Sequence, residues 1–234
     1  MAWPDDCRVG GGPSPAAGLH IASASDLDRE QFGRLQEIYE QAFPRHLRVP
    51  LAELAEPSAR DLMLVALDGS DPVGFASLRL LAGVGWVMLR YYGVAASRRR
   101  QRLGSRFWQQ LRPAVVSIGW PGRIALEVED PREVRDDAAE LAIRRGRLEF
   151  WRNCGARVLP IPRYVMPAIT ERAEPEPMVL MAAEPQGSDR LTAADLSALV
   201  QAIFTQHYGL ALSNPLVAAA LASIGPAAER GASG

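Results

Sequence analysis

The stretch that most constrains this chain is LRYYGVAASRRRQRLGSRFWQQL at residues 89–111. It opens with strand formers: Val87, Met88, Leu89, Tyr91, Tyr92 and Val94. It then turns polar and cationic from Ser97 to Arg102. Leu103, Phe107, Trp108 and Leu111 recur at helical spacing. A strand that feeds a cationic turn at a helix N-terminus is a phosphate site in outline. The first turn leaves backbone N–H groups free, and the helix dipole favours an anion there. The spacing alone also fits an ordinary strand–helix connection with a solvated arginine cluster.

Taken from Val94, the run Arg99-Arg100-Gln101-Arg102-Leu103-Gly104 resembles the acetyl-CoA signature of the GNAT superfamily of N-acyltransferases. That signature is Arg or Gln, two residues, Gly, one residue, then Gly or Ala, with its first position five residues after a strand valine. Arg99 matches the first position and Gly104 the last. The fourth departs, with Arg102 in place of glycine. Glycine there lets the backbone close on a pyrophosphate, so Arg102 either crowds the loop or supplies a charge. The resemblance implies that Tyr92, Gly93, Val94, Arg99, Arg100, Gln101, Arg102, Leu103, Gly104 and Ser105 contact acetyl-CoA.

Composition narrows the alternatives. A chain of 234 residues, 48% hydrophobic, can bury one sizeable core. A net charge of -1 gives no global field for nucleic acid. All 26 basic residues are arginine, which excludes lysine Schiff-base and P-loop chemistry. Two cysteines make no disulfide framework, and with no signal-peptide pattern the expected location is the cytoplasm. No apolar run is long enough to span a bilayer, so no membrane partner is expected. His20, His46 and His207 lack metal spacing, and no metal is expected.

In chain order, residues 1–18 are rich in Gly, Pro and Ala and are expected to be disordered. A strand at His20–Ala24 leads to a helix whose face is Phe32, Leu35, Ile38, Tyr39, Ala42 and Phe43, then a short helix at Pro50–Glu56. Strands follow at Leu62–Leu67 and Val73–Leu81, then the opening motif, then a strand at Ile124–Asp130. Residues 132–146 read as one helix, and a further helix carries Leu148 and Trp151 to a cap at Gly155. Val158-Leu159 and Pro177–Ala183 read as final strands. This order resembles the GNAT fold over residues 19–184: an α/β (α+β) arrangement with a mixed twisted sheet and helices on both faces. Residues 190–224 form a C-terminal helical extension, with Thr192 and Asp195 as an approximate capping box and an apolar stripe that packs on the core or joins a dimer. Residues 225–234 form a tail.

In the resemblance, the strand of the motif and its neighbour part, and the pantetheine arm enters the gap. A strand N–H from the Tyr92–Val94 segment polarises the acetyl carbonyl. Glu127, in Leu126-Glu127-Val128, matches the family's base. Alternation places Glu127 and Glu129 on one face, and apolar flanks raise a carboxylate's pKa. The family's acid tyrosine falls at Trp151, whose indole cannot donate a proton to a thiolate. Trp151 is therefore a wall of the CoA channel or plain core. Tyr164 is the substitute acid; Tyr91 and Tyr92 are others. The expected function is acetyl transfer from acetyl-CoA to an amine in a ternary complex, by a monomer or homodimer. A catalytically degenerate acyl-CoA-binding module is the rival, and a nucleic-acid module using the arginine cluster is disfavoured by the balanced charge.

Overall fold

The computed structural model describes residues 18–56, 58–169 and 173–225. The two expected tails, apart from Gly18 and Gly225, lie outside the described residues. The elements are β1 (Leu19–Ser23), α1 (Arg29–Ala42), α2 (Leu51–Ala55), β2 (Asp61–Asp68), β3 (Asp71–Leu81), β4 (Trp86–Val94), α3 (Leu103–Ser117), β5 (Ile124–Glu129), α4 (Ala138–Asn153), β6 (Ala156–Val158), β7 (Val165–Met166), β8 (Glu176–Ala183), α5 (Ala193–Ala202) and α6 (Pro215–Ala222). The sheet order is β1-β2-β3-β4-β5-β8-β6, with β7 added to β8. Only β4 and β5 pair in parallel; the other pairs are antiparallel. This is the mixed sheet with helices on both sides that the sequence order implied.

Local signals account for most boundaries. Asp28 and Gln31 form a reciprocal capping box at the start of α1. Thr192 and Asp195 do the same for α5, aspartate standing where a longer acid is usual. One expectation is corrected. Residues 132–153 hold a single long helix, not two. Pro131–Glu133 is a short 3-10 turn, and Asp137 caps α4 by accepting from the Ala139 and Glu140 N–H groups. Gly146 sits inside α4; one glycine weakens a helix by about 1 kcal/mol without ending it. The two-residue strand β7 was not foreseen, being too short to show a period.

The sheet has two covered faces. On one, Leu64, Leu78, Val87, Leu89 and Leu126 pack against Phe107, Trp108 and Leu111 of α3 and Leu148 and Trp151 of α4. The other face has two separate covers. Over β2–β4, Val65, Phe75 and Tyr91 meet Leu35, Ile38 and Leu54 from α1 and α2. Over β4, β5 and β8, Met88, Ala125 and Leu180 meet Leu196, Leu199, Phe204 and Val217 from the C-terminal extension. Each such large apolar side chain contributes roughly 1.5–3 kcal/mol by burial, so the extension is part of the core.

Between those covers the sheet opens. Ser77 pairs with Tyr91, but Leu78 pairs with Leu89, leaving Arg90 as an extra residue in β4. Such a bulge bends its strand. β4 then stays with β3 while β5 stays with β8. The β4–β5 ladder holds only Val87–Ile124, Met88–Ala125 and Leu89–Leu126.

Candidate active site

The basic turn sits where the sequence put it, between the end of β4 and the start of α3. A 3-10 turn at Ala96–Arg98 leads into it. Arg100 and Arg102 both take left-handed backbone angles, with φ of 63° and 56°. Arg102 thus adopts the conformation that the family's glycine provides, with its side chain exposed. It is the residue preceding α3, which has no side-chain N-cap. Arg98 pairs with Asp68 at 3.0 Å, and the Gln101 amide donates to the Ser97 carbonyl at 3.2 Å. Arg99 is half-buried, its Nε has no partner, and burial lowers its pKa. Leu103 and Gly104 are buried, while Ser105 is half-buried beside them in the first turn of α3.

The neighbouring aromatic residues are structural. Tyr92 OH donates to the Gly104 carbonyl at 2.5 Å, tying β4 to the first turn of α3. Tyr91 OH donates to the Leu47 carbonyl at 2.9 Å. Trp151 is buried in edge contact with Tyr92, Trp108 and Phe150, at 5.2, 5.0 and 4.9 Å between ring centroids, and also lines the cavity described below. Gly93 has a packing reason: a Cβ there would meet Phe75 Cε1 at 2.8 Å and Ala42 Cβ at 3.3 Å. Val94 is buried at the strand end.

A cavity of about 310 Å³ opens where β4 and β5 part. Its walls include Arg90, Tyr91 and Tyr92 of β4, Glu127 and Glu129 of β5, Glu176 and Met178 of β8, and His207 and Tyr208 of the extension. Glu129 is paired with Arg147, and Glu176 with Arg144 at 2.9 Å. Glu127 alone of these three carboxylates is held by hydroxyls and not by a guanidinium. It accepts hydrogen bonds from Tyr164 OH and from Tyr208 OH, the latter at 2.5 Å. Burial raises the Glu127 pKa, with the two hydroxyls acting the other way. Burial also pushes both tyrosines well above the ordinary phenol value, helped by the adjacent carboxylate.

The two tyrosines differ in access. Tyr164 is 1% exposed, packed against Phe204 with ring centroids 5.4 Å apart, and is not on the cavity wall. Tyr208 is on the wall. It was missed in the sequence because it lies in the extension, just after a π-helical turn at Ile203–His207. No motif marks it, and the wider helical turn that precedes it shows only in the structure.

Residues 28–137 match the acetyltransferase (GNAT) family model. That segment, a little under half of the chain, is similar to a GNAT acetyltransferase domain. The matched segment runs from the cap of α1 to the cap of α4. It takes in the basic turn, the strand gap and Glu127, but neither Tyr164 nor Tyr208. A GNAT-family protein from Bacteroides thetaiotaomicron shares the fold with a TM-score of 0.64 at 19% identity, over 82% of this chain and 99% of that one. The aminoglycoside 6'-N-acetyltransferase from Enterococcus faecium does so with a TM-score of 0.51 at 20% identity, over 72% and 99%. No curated protein matches the chain. Among the described residues, no cluster of His, Cys, Asp and Glu could hold a metal, and no helix is long and apolar enough to cross a membrane.

Proposed function

We propose that the protein is an N-acetyltransferase that passes the acetyl group of acetyl-CoA to an amine by direct attack in a ternary complex. The observation that carries this is Glu127, a desolvated carboxylate between two hydroxyls at the point where β4 and β5 part. The basic turn at 99–104 fits the pyrophosphate: an uncapped helix N-terminus, a half-buried Arg99 with an unpartnered Nε, and further arginines around it. The unpaired edge of β4 offers backbone N–H groups to the acetyl carbonyl oxygen.

In this reading Glu127 takes the proton that the amine must lose. The C–N bond forms and the C–S bond breaks. Tyr208, on the cavity wall, gives its hydroxyl proton to the departing thiolate. It recovers a proton from Glu127 through their shared hydrogen bond. Starting from an ammonium, one further proton leaves to water. Tyr164 holds the carboxylate from the buried side and acts as a positioning residue.

The rival reading, an acyl-CoA-binding module, draws support from Trp151, which fills the family's tyrosine position inside an aromatic cluster. One experiment separates the two. Glu127→Gln keeps shape but cannot accept the proton. It should leave acetyl-CoA affinity intact and lower kcat for thiol release by roughly 10²–10⁴. Tight acetyl-CoA binding by the wild type, with no turnover across a broad amine panel, establishes the binding module instead.

A further inference from the structure

The cavity contains a second polar cluster that the acyl-transfer chemistry does not use. Arg90, the bulged residue of β4, and Glu127 of β5 are each the first residue after the last paired rung, Leu89–Leu126. They stand on the two lips of the gap, and both line the cavity. Arg90 is only 13% exposed and is weakly satisfied. Its Nη1 lies 3.3 Å from Asp61 Oδ1. Asp61 spends its better geometry on Arg79, which binds it with Nε at 2.6 Å and Nη2 at 3.0 Å. Arg90 Nε is buried without a hydrogen-bond partner.

His207 joins this cluster. Arg79 Nη1 donates to the Gln206 and His207 carbonyls at 3.2 and 3.4 Å, fixing the extension against β3. The His207 ring lines the same cavity, and its Nδ1 is also buried and unpartnered. Burial, then the charges of Arg90 and Arg79, hold its pKa at about 3, so the ring is neutral and able to donate one hydrogen bond. Arg79 and Arg90 share one carboxylate, Asp61, which leaves Arg90 without a paired counter-charge of its own in a desolvated place. Burial and the neighbouring Arg79 lower the Arg90 pKa, as expected of a cation short of a counter-charge.

A buried guanidinium with unused donors is suited to a planar carboxylate, which it can bind through parallel N–H bonds. Arg90 carries a single charge, and three carboxylates share the same cavity, so a phosphate dianion would meet repulsion. The volume of about 310 Å³ is at the small end for ligand sites. The remaining walls, Phe43, Leu47, Val49, Met166, Ile169 and Leu210, are apolar.

Resting on the acetyltransferase reading above, we propose that the acceptor is a small amino acid with an apolar side chain. Its carboxylate is bound by Arg90 with His207, and its amine is presented to Glu127 across the strand gap. Adjacent positions on the two lips suit an amine and a carboxylate separated by one or a few bonds.

The test compares leucine, leucinamide and isoamylamine with the wild-type protein. Thiol release from acetyl-CoA should show kcat/KM for leucine about 10²-fold above both analogues, the scale of a lost charge-assisted hydrogen bond. Arg90→Gln should collapse that ratio toward one. In parallel, leucine should raise the melting temperature of the wild type more than leucinamide does. Equal turnover of the three acceptors overturns the carboxylate site and leaves the acetyltransferase reading standing. A leucine-specific melting shift lost in Arg90→Gln, with no acetyl transfer, supports the site and removes the acetyltransferase reading. If the wild type shows no leucine turnover and no leucine-induced melting shift, the proposal is overturned whatever Arg90→Gln does.

Discussion

The basic turn and the Glu127 chamber both lie along the second half of β4, and they are built in opposite ways. The turn is a short run of consecutive residues with two left-handed arginines and an uncapped helix start, open to solvent. Its geometry comes from neighbours in sequence. The chamber is assembled from distant parts. Tyr164 lies 37 residues and Tyr208 lies 81 residues from the glutamate they hold. Its geometry comes from packing, since the extension reaches Glu127 only because Phe204 and its neighbours are buried on the sheet. A site made of local backbone can be damaged without unfolding the protein, whereas a site made of packing shares its fate with the core.

The largest effect should follow from attacking that packing. Phe204 is fully buried, at 5.4 Å from the Tyr164 ring and 6.1 Å from the Tyr208 ring. Phe204→Ala should cost about 3–5 kcal/mol in denaturant unfolding, and kcat should fall as the tyrosines loosen. A variant as stable as the wild type would mean that the extension is not part of the cooperative unit.

Smaller, and confined to chemistry, is the contrast between the two tyrosines. Tyr208→Phe should lower kcat about a hundredfold, the low end for a general acid, with acetyl-CoA affinity retained. Tyr164→Phe should act mainly through Glu127. Each hydroxyl lowers the carboxylate's pKa against the raising effect of burial. Removing one donor therefore raises that pKa further, and because a base works unprotonated, the rising limb of the rate profile should move to higher pH. If the two variants exchange these behaviours, Tyr164 is the acid and Tyr208 the positioning residue.

The smallest effect belongs to the turn. An L-residue in the left-handed region costs roughly 1–2 kcal/mol, and glycine returns about half of that as unfolded-state freedom. Arg102→Gly should thus raise stability by roughly 0.5–1 kcal/mol in thermal unfolding. Its effect on acetyl-CoA affinity settles the role of the side chain: weaker binding if Arg102 supplies charge, tighter binding if it crowds the loop.

The same contrast explains what could be read in advance. The strand–turn–helix at 89–111 was legible because strand period, basic turn and helical period follow one another in sequence. Glu127 could be nominated because Leu126-Glu127-Val128 resembles the family's base segment; alternation along β5 put Glu129 on the same face and did not choose between them. Tyr164 could be nominated as lying beyond the helix that carries Trp151, but its enclosure under Phe204 could not. Tyr208 and His207 were invisible as site residues because the apolar stripe of α5 shows only that it packs, not where. Arg90 looked like one more polar residue in a strand. Only the pairing of Leu78 with Leu89 reveals it as the extra residue.

That extra residue also resets the parity of β4. Before it, Val87 and Leu89 face α3 and α4; after it, Tyr92 and Val94 do, while Tyr91 turns toward α1. Tyr92 can therefore stack on Phe107, at 5.2 Å, only because the count has slipped by one. A β4 of the same residues but without the bulge would put every later side chain on the wrong side. It would also let the free edges of β4 and β5 continue their ladder and seal the cavity. The tolerance of β4 is thus uneven in kind: an apolar side chain can be exchanged for another of similar shape, but the faces of the residues from Tyr91 to Val94 depend on the bulge at Arg90 being kept.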